Sequence, residues 1–128
     1  MASLVSRRLL NAGEVAAWAR GEGFANLVPA AWHVTVVQGL PSGIGLDPYG
    51  LIIPPSPRRA VRRLGGFTVI TFTSLPLARR HRLLRAAGCS WVYSRYLPHV
   101  MFTADDRRDL GEVSPYTGAL RLGPEAAD

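Results

Sequence analysis

The chain has 128 residues, 48% of them hydrophobic, which is enough for one domain with a buried core and too few for two. No run approaches the roughly 18 apolar residues that cross a bilayer. The segment from Met1 to Arg8 lacks the charged-then-apolar order of a secretory leader, and a single cysteine, Cys89, leaves no internal disulfide and no cysteine-based zinc site. The formal charge is +6, carried by fifteen arginines and no lysine, which suits an anionic partner and equally an ordinary basic surface. These properties predict one soluble, cytoplasmic domain over 1–128.

A helix is expected from Ala12 to Glu22, with Asn11 at its N-cap, Glu14 in capping-box spacing, and Gly21 and Gly23 at its end. Val15, Trp18 and Ala19 form its apolar stripe. Trp32 to Val37 is rich in β-branched residues and reads as a strand, with His33 and Thr35 on one face and Val34 and Val36 on the other. Gly39 to Pro57, dense in proline and glycine, is a loop with a short extended piece at Leu51-Ile52-Ile53. Arg58–Leu64 and Phe67–Thr73 make a hairpin about Gly65-Gly66. Ser74 caps a second helix, Leu75 to Ala87, which Gly88 closes; its four arginines and His81 are expected at the wet surface. Cys89, just beyond, is expected as a buried structural thiol. Pro98 to Thr103 is a strand that places His99, Met101 and Thr103 on one face. A polar link leads to a last strand around Ala119 to Leu122, and the tail from Gly123 is expected to be irregular.

Two units repeat. Asn11 and Ser74 each cap a helix, a glycine closes it, and a strand histidine follows: ten residues separate Gly23 from His33, and eleven separate Gly88 from His99. Such halves predict a pseudo-twofold α+β domain whose histidine strands line one groove. Cleaving a phosphodiester needs one proton removed from the attacking oxygen and one delivered to the leaving oxygen. Imidazole suits both tasks near neutral pH. Thr35 points its hydroxyl the same way and is suited to a non-bridging phosphate oxygen. A metal site is the rival, but neither histidine strand contains an acidic residue to complete a ligand set. No metal or cofactor is expected.

At these residues the chain resembles the 2H phosphoesterase superfamily, whose signature is two His-x-Thr/Ser strands. It is more similar still to the phage anti-CBASS nucleases, which destroy cyclic oligonucleotide alarm signals. That likeness runs through Arg8-Leu9-Leu10-Asn11, Trp18-Ala19-Arg20, His33-Val34-Thr35-Val36, Leu83 to Trp91, Pro98-His99-Val100, Pro115-Tyr116-Thr117-Gly118 and Leu122-Gly123-Pro124-Glu125. The resemblance implies a 2H phosphoesterase-like fold of two antiparallel sheets forming a groove, with the helices packed outside. It implies that His33 and His99 are catalytic, that Thr35 binds the scissile phosphate, and that 3′–5′ bonds of cyclic di- or trinucleotides are cut without metal. It also implies that Glu125 is suited to reading an adenine edge, the alternative being a solvated tail residue, and that the site of action is the cytoplasm of an infected bacterium.

One position departs from the pattern. Met101 stands where the second motif has threonine, and a thioether donates no hydrogen bond; loss of one such donor costs about 10²- to 10³-fold in oxyanion holes. Thr103, one pleat repeat further on, is the candidate substitute, roughly 6–7 Å along the strand. Trp91, Tyr93 and Tyr96 supply flat surfaces for bases, or for Trp91 packing under the loop, while Arg62 and Arg95 are candidates for phosphates. Three functions compete. The intact His33, Thr35 and His99 favour a nuclease, Met101 favours a non-cleaving sponge, and a groove open to a long strand would favour an enzyme of 2′,3′-cyclic RNA ends. Neither a membrane nor duplex nucleic acid is an expected partner, the base and acid are left equivalent, and no oligomeric state is assigned.

Overall fold

The computed structural model describes residues 2–128; Met1, where the segment read for a leader begins, lies outside them. In chain order the elements are β1 (Ala2–Leu9), α1 (Ala12–Gly21), β2 (His33–Leu40), β3 (Leu51–Ile53), β4 (Ala60–Leu64), β5 (Phe67–Thr71), α2 (Leu75–Ala86), β6 (His99–Ala104) and β7 (Leu120–Ala127). Short 3-10 turns interrupt the connections at Pro29–Ala31 and Leu110–Glu112. The strands form two antiparallel sheets, ordered β2-β1-β7-β3 and β4-β5-β6. The fold is therefore mixed α+β with two helices, and no helix among the described residues is long and apolar enough to cross a membrane.

Two elements differ from the sequence expectation. The first organised element is β1 rather than the helix, and β7 continues through the supposedly irregular tail to Ala127. In β1, Val5, Arg7 and Leu9 alternate inward, and Arg7 is kept there by donating to the carbonyls of Tyr49 and Gly123 and to Asp47. In β7, Leu122 faces Leu9 while Glu125 faces Arg7, so Gly123-Pro124 sits in a bulge, where a proline lacking its N–H is tolerated. Asn11 also behaves differently. Its side chain does not cap α1; it accepts from the Arg121 N–H and donates to the Ala119 carbonyl, tying α1 to β7. Ser74 does cap α2, accepting from the Leu77 N–H. The β4–β5 hairpin turns on Gly65 and Gly66, both at positive φ (55° and 84°), as a two-residue type I′ turn requires.

With β1 included, the repeat is complete: β1–α1–β2 in one half, β5–α2–β6 in the other, each pair of strands antiparallel neighbours. Equivalent backbone bonds seat the two histidines. Leu9 N–H donates to Trp32 O at 3.0 Å, and Phe72 N–H donates to Pro98 O at 3.1 Å, in each case one residue before the histidine. Both histidine strands then carry one extra residue at the same place. The register steps over Val36 in β2 and over Phe102 in β6, each three residues past its histidine.

The helices lock onto these bulges crosswise. The seventh residue of α2, His81, donates from Nδ1 to the Val36 carbonyl at 2.7 Å, giving a partner to a group at the ladder's break. The seventh residue of α1, Trp18, packs edge-on against Phe102 with ring centroids 5.3 Å apart. His81 is consequently buried at 8% exposure, not at the wet surface as expected. Leu77, His81 and Leu84 form the inward stripe of α2, and among its arginines Arg80 also turns inward. Each helix thus covers the other half's histidine strand. The core between them contains Val34, Val36, Ile70, Leu77, Leu84, Val100 and Phe102. The opposite face of both strands carries the exposed His33 and Met101 and the half-buried Thr35 and His99.

Candidate functional site

His33 and His99 each lie on the face of their strand turned away from the helices. The edge strands β2 and β6 run close together, and the Tyr96 hydroxyl, just before β6, crosses to donate to the Thr35 carbonyl at 2.8 Å. Each histidine is held in the same way: His33 Nδ1 lies 3.0 Å from the Ala31 carbonyl and His99 Nδ1 lies 3.0 Å from the Leu97 carbonyl, two residues earlier in both cases. A carbonyl only accepts, so Nδ1 is the protonated nitrogen of both rings and Nε2 is the position free to exchange a proton. Thr35 is half-buried, and its hydroxyl has no protein partner among the described residues.

Met101 projects from the same face as His99, opposite Val69 in β5, and is 42% exposed. Thr103 does not join it. The bulge at Phe102 pairs Thr103 with buried Thr68, and its hydroxyl donates to Ala25 O beyond α1, so the sequence expectation of a shared face fails at this residue. Of the aromatics, Tyr96 stacks on His81 (centroids 4.2 Å apart, planes 8°), and burial pushes its phenol well above the usual tyrosine range. Trp91 is half-buried, edge-on to both rings, and donates from Nε1 to Arg95 O. Tyr93, against Trp91, is exposed. Arg62 and Arg95 are exposed as well.

Glu125 lies elsewhere, on the helix-covered face. Its side chain is fully buried, and both oxygens are engaged: Oε1 accepts from the Asp47 N–H (2.8 Å) and Arg80 Nη2 (2.7 Å), Oε2 from Arg80 Nε (2.8 Å), with Arg7 3.7 Å away. Asp47 bonds Arg7 at 2.6 Å. The Tyr49 N–H, then Arg7, hold the Asp47 carboxyl below the usual range. This four-residue network pins the Gly39–Pro57 loop to β1, β7 and α2, and nothing in the sequence pattern announced it. Cys89 is buried, and burial raises its thiol, consistent with a structural role.

Two clefts, of about 350 and 360 Å³, lie away from the histidines. One is lined by Arg7, Asp47, Leu77, Arg79 and Arg80 among others, the other by Glu22, Asp106 and Arg108 with their neighbours. Neither is lined by His33, Thr35, His99 or Met101. Among the described residues no three His, Cys, Asp or Glu side chains gather as a metal-ligand set.

Comparison with known proteins places the chain in a family. The model of the anti-CBASS protein Acb1 family matches residues 2–128. The chain belongs to the Acb1 family. A curated relative from Caulobacter sp. (strain RHG1), named anti-CBASS protein Acb1, is 38% identical over 133 residues, covering 94% of this chain and 21% of the relative. A second of the same name, from Sphingomonas paeninsulae, is 38% identical over 135 residues, covering 94% and 22%. The chain thus spans about a fifth of the length of the curated relatives it matches.

Proposed function

We propose that this Acb1-family chain is a phosphodiesterase that opens 3′–5′ bonds of cyclic di- or trinucleotide signals in the bacterial cytoplasm, using His33 and His99 as an acid–base pair in a 2H phosphoesterase-like site. The observation that carries the reading is the duplicated histidine setting, with both Nδ1 atoms anchored to the carbonyl two residues earlier. Anchoring fixes the tautomer, so proton exchange runs through Nε2 on either side. One neutral imidazole takes the proton of the attacking oxygen, and the other, protonated, hands its Nε2 proton to the leaving oxygen as the P–O bond breaks. The Thr35 hydroxyl donates to a non-bridging oxygen. Tyr93 offers the exposed ring for a base.

A second reading, a sponge that holds the ring intact, is favoured by one observation: Met101, exposed two residues past His99, has a thioether that donates no hydrogen bond to phosphate. Mass spectrometry of a panel of cyclic di- and trinucleotides, incubated with the protein in excess EDTA, separates them. Linear products that disappear in His33→Ala and in His99→Ala support the enzyme. Rings bound intact by the unsubstituted protein support the sponge, and cleavage confined to 2′,3′-cyclic RNA ends would replace both.

A further inference from the structure

Resting on the phosphodiesterase reading, we infer that Arg8 is a further catalytic residue, the cation that contacts the scissile phosphate from beside His33. The case begins with register. In the β1–β2 ladder Arg8 stands directly opposite His33, and Ser6 opposite Thr35. Residues so paired share a face of the sheet, with Cβ atoms about 4.5–5.5 Å apart. Arg7 and Leu9 on either side point into the interior, while Arg8 is exposed. Its side chain therefore leaves the sheet on the histidine face, directly across from His33 and diagonal to Thr35.

Its freedom is the second part of the case. Arg7, Arg63, Arg80 and Arg108 are each ion-paired to a carboxylate, whereas Arg8 has no side-chain hydrogen bond or ion pair among the described residues. The pseudo-twofold supplies the third part. The residue opposite His99 is Thr71, which is buried and donates its hydroxyl to Ala60 O at 3.4 Å. Beside His99, then, stand a committed hydroxyl and Met101, neither placed to donate to phosphate. On the His99 side the exposed arginine of that face, Arg62, stands on β4, two strands from β6, whereas Arg8 is directly opposite its histidine on the adjoining strand, and a guanidinium offers two parallel N–H donors to the non-bridging oxygens. Arg8 supplies on one flank what Met101 omits on the other.

The test compares steady-state cleavage of 3′,3′-cyclic di-AMP and cyclic triadenylate by the unsubstituted protein, Arg8→Ala, Arg8→Lys and Arg82→Ala. Arg82 is exposed on α2, over the opposite face, so Arg82→Ala removes the same charge and reports only general steering. The expected result is a loss of about 10²-fold in kcat for Arg8→Ala, as for one oxyanion donor, with a smaller loss for Arg8→Lys and little change in Arg82→Ala. Low-millimolar guanidinium, but not sodium chloride at equal ionic strength, should restore part of the Arg8→Ala rate, which a merely structural arginine would not allow. Equal rates for Arg8→Ala and Arg82→Ala, or no specific rescue, overturn the assignment of Arg8 and leave the two-histidine reading standing. No cleavage of either ring by the unsubstituted protein removes both.

Discussion

Glu125→Gln separates a clamp from a ligand-reading residue. The carboxylate is fully buried between Arg80, whose side chain is 22% exposed, and Arg7, at 3%. Removing one member of a buried pair typically costs about 3–5 kcal/mol, because the partner's charge is left without compensation. Three features reduce that here: Arg80 reaches water, Arg7 keeps its bond to Asp47, and a glutamine oxygen can still accept the Asp47 N–H. The expected cost is then about 2–3 kcal/mol. At about 2.1 cal/mol/K per residue for unfolding, a chain of this length should lose about 7–11 °C in Tm. Scanning calorimetry of both proteins at pH 7 measures this. A cycle with Arg80→Ala should also show a coupling of about 1–2 kcal/mol. A Tm change below about 2 °C, or additivity in the cycle, would refute the clamp and return Glu125 to the pool of residues available to an adenine edge.

Met101→Thr restores a hydroxyl beside His99 and should raise kcat, by up to about 10²-fold if donor loss is the whole defect; an unchanged or lower rate in steady-state assays means that the methionine is not a missing donor. Tyr96→Phe deletes the bond across the two halves and should cost about 1–2 kcal/mol in urea denaturation, lowering kcat more than the affinity for the ring, whereas equal losses in both would show that Tyr96 does not align the histidines. Asp47 has a lowered folded-state pKa, so its contribution to stability is present above the unfolded value near 3.9 and fades as pH falls through the lower folded value. The Tm gap between the unsubstituted protein and Asp47→Asn should accordingly shrink below about pH 4, and a gap that is constant from pH 3 to 7 would contradict the Arg7–Asp47 pairing.

The helices, the histidine strands and the Gly65-Gly66 hairpin were legible because each follows local chemistry: a capping serine, β-branched alternation, a glycine pair. β1 escaped because a buried arginine, Arg7, occupies the middle of its inward alternation and reads as a polar break. The last strand was cut short for the same reason, since Gly123, Pro124 and buried Glu125 look like a tail until Arg7 and Arg80 are seen to neutralise the carboxylate. Buried charges become compatible with a strand only through partners far away in sequence. His81 was obscured by the arginines around it, although its spacing from Leu77 and Leu84 already marks the inward stripe. Of the candidate site, the matching strand positions of the two histidines and the face shared by His33 and Thr35 were legible. Thr103 was misplaced because alternation assumes an unbroken ladder, and the bulge at Phe102 breaks it.

The central claim, a phosphodiester opened by two histidines, is tested most directly by phosphorus NMR of 3′,3′-cyclic di-AMP and cyclic triadenylate mixed with the protein in excess EDTA. The account predicts that a diester resonance gives way to a phosphomonoester or a five-membered cyclic phosphate, and that the change is absent with His33→Ala or His99→Ala that remain folded by circular dichroism. Unaltered diester signals with the unsubstituted protein, or turnover that survives loss of either imidazole, would contradict it.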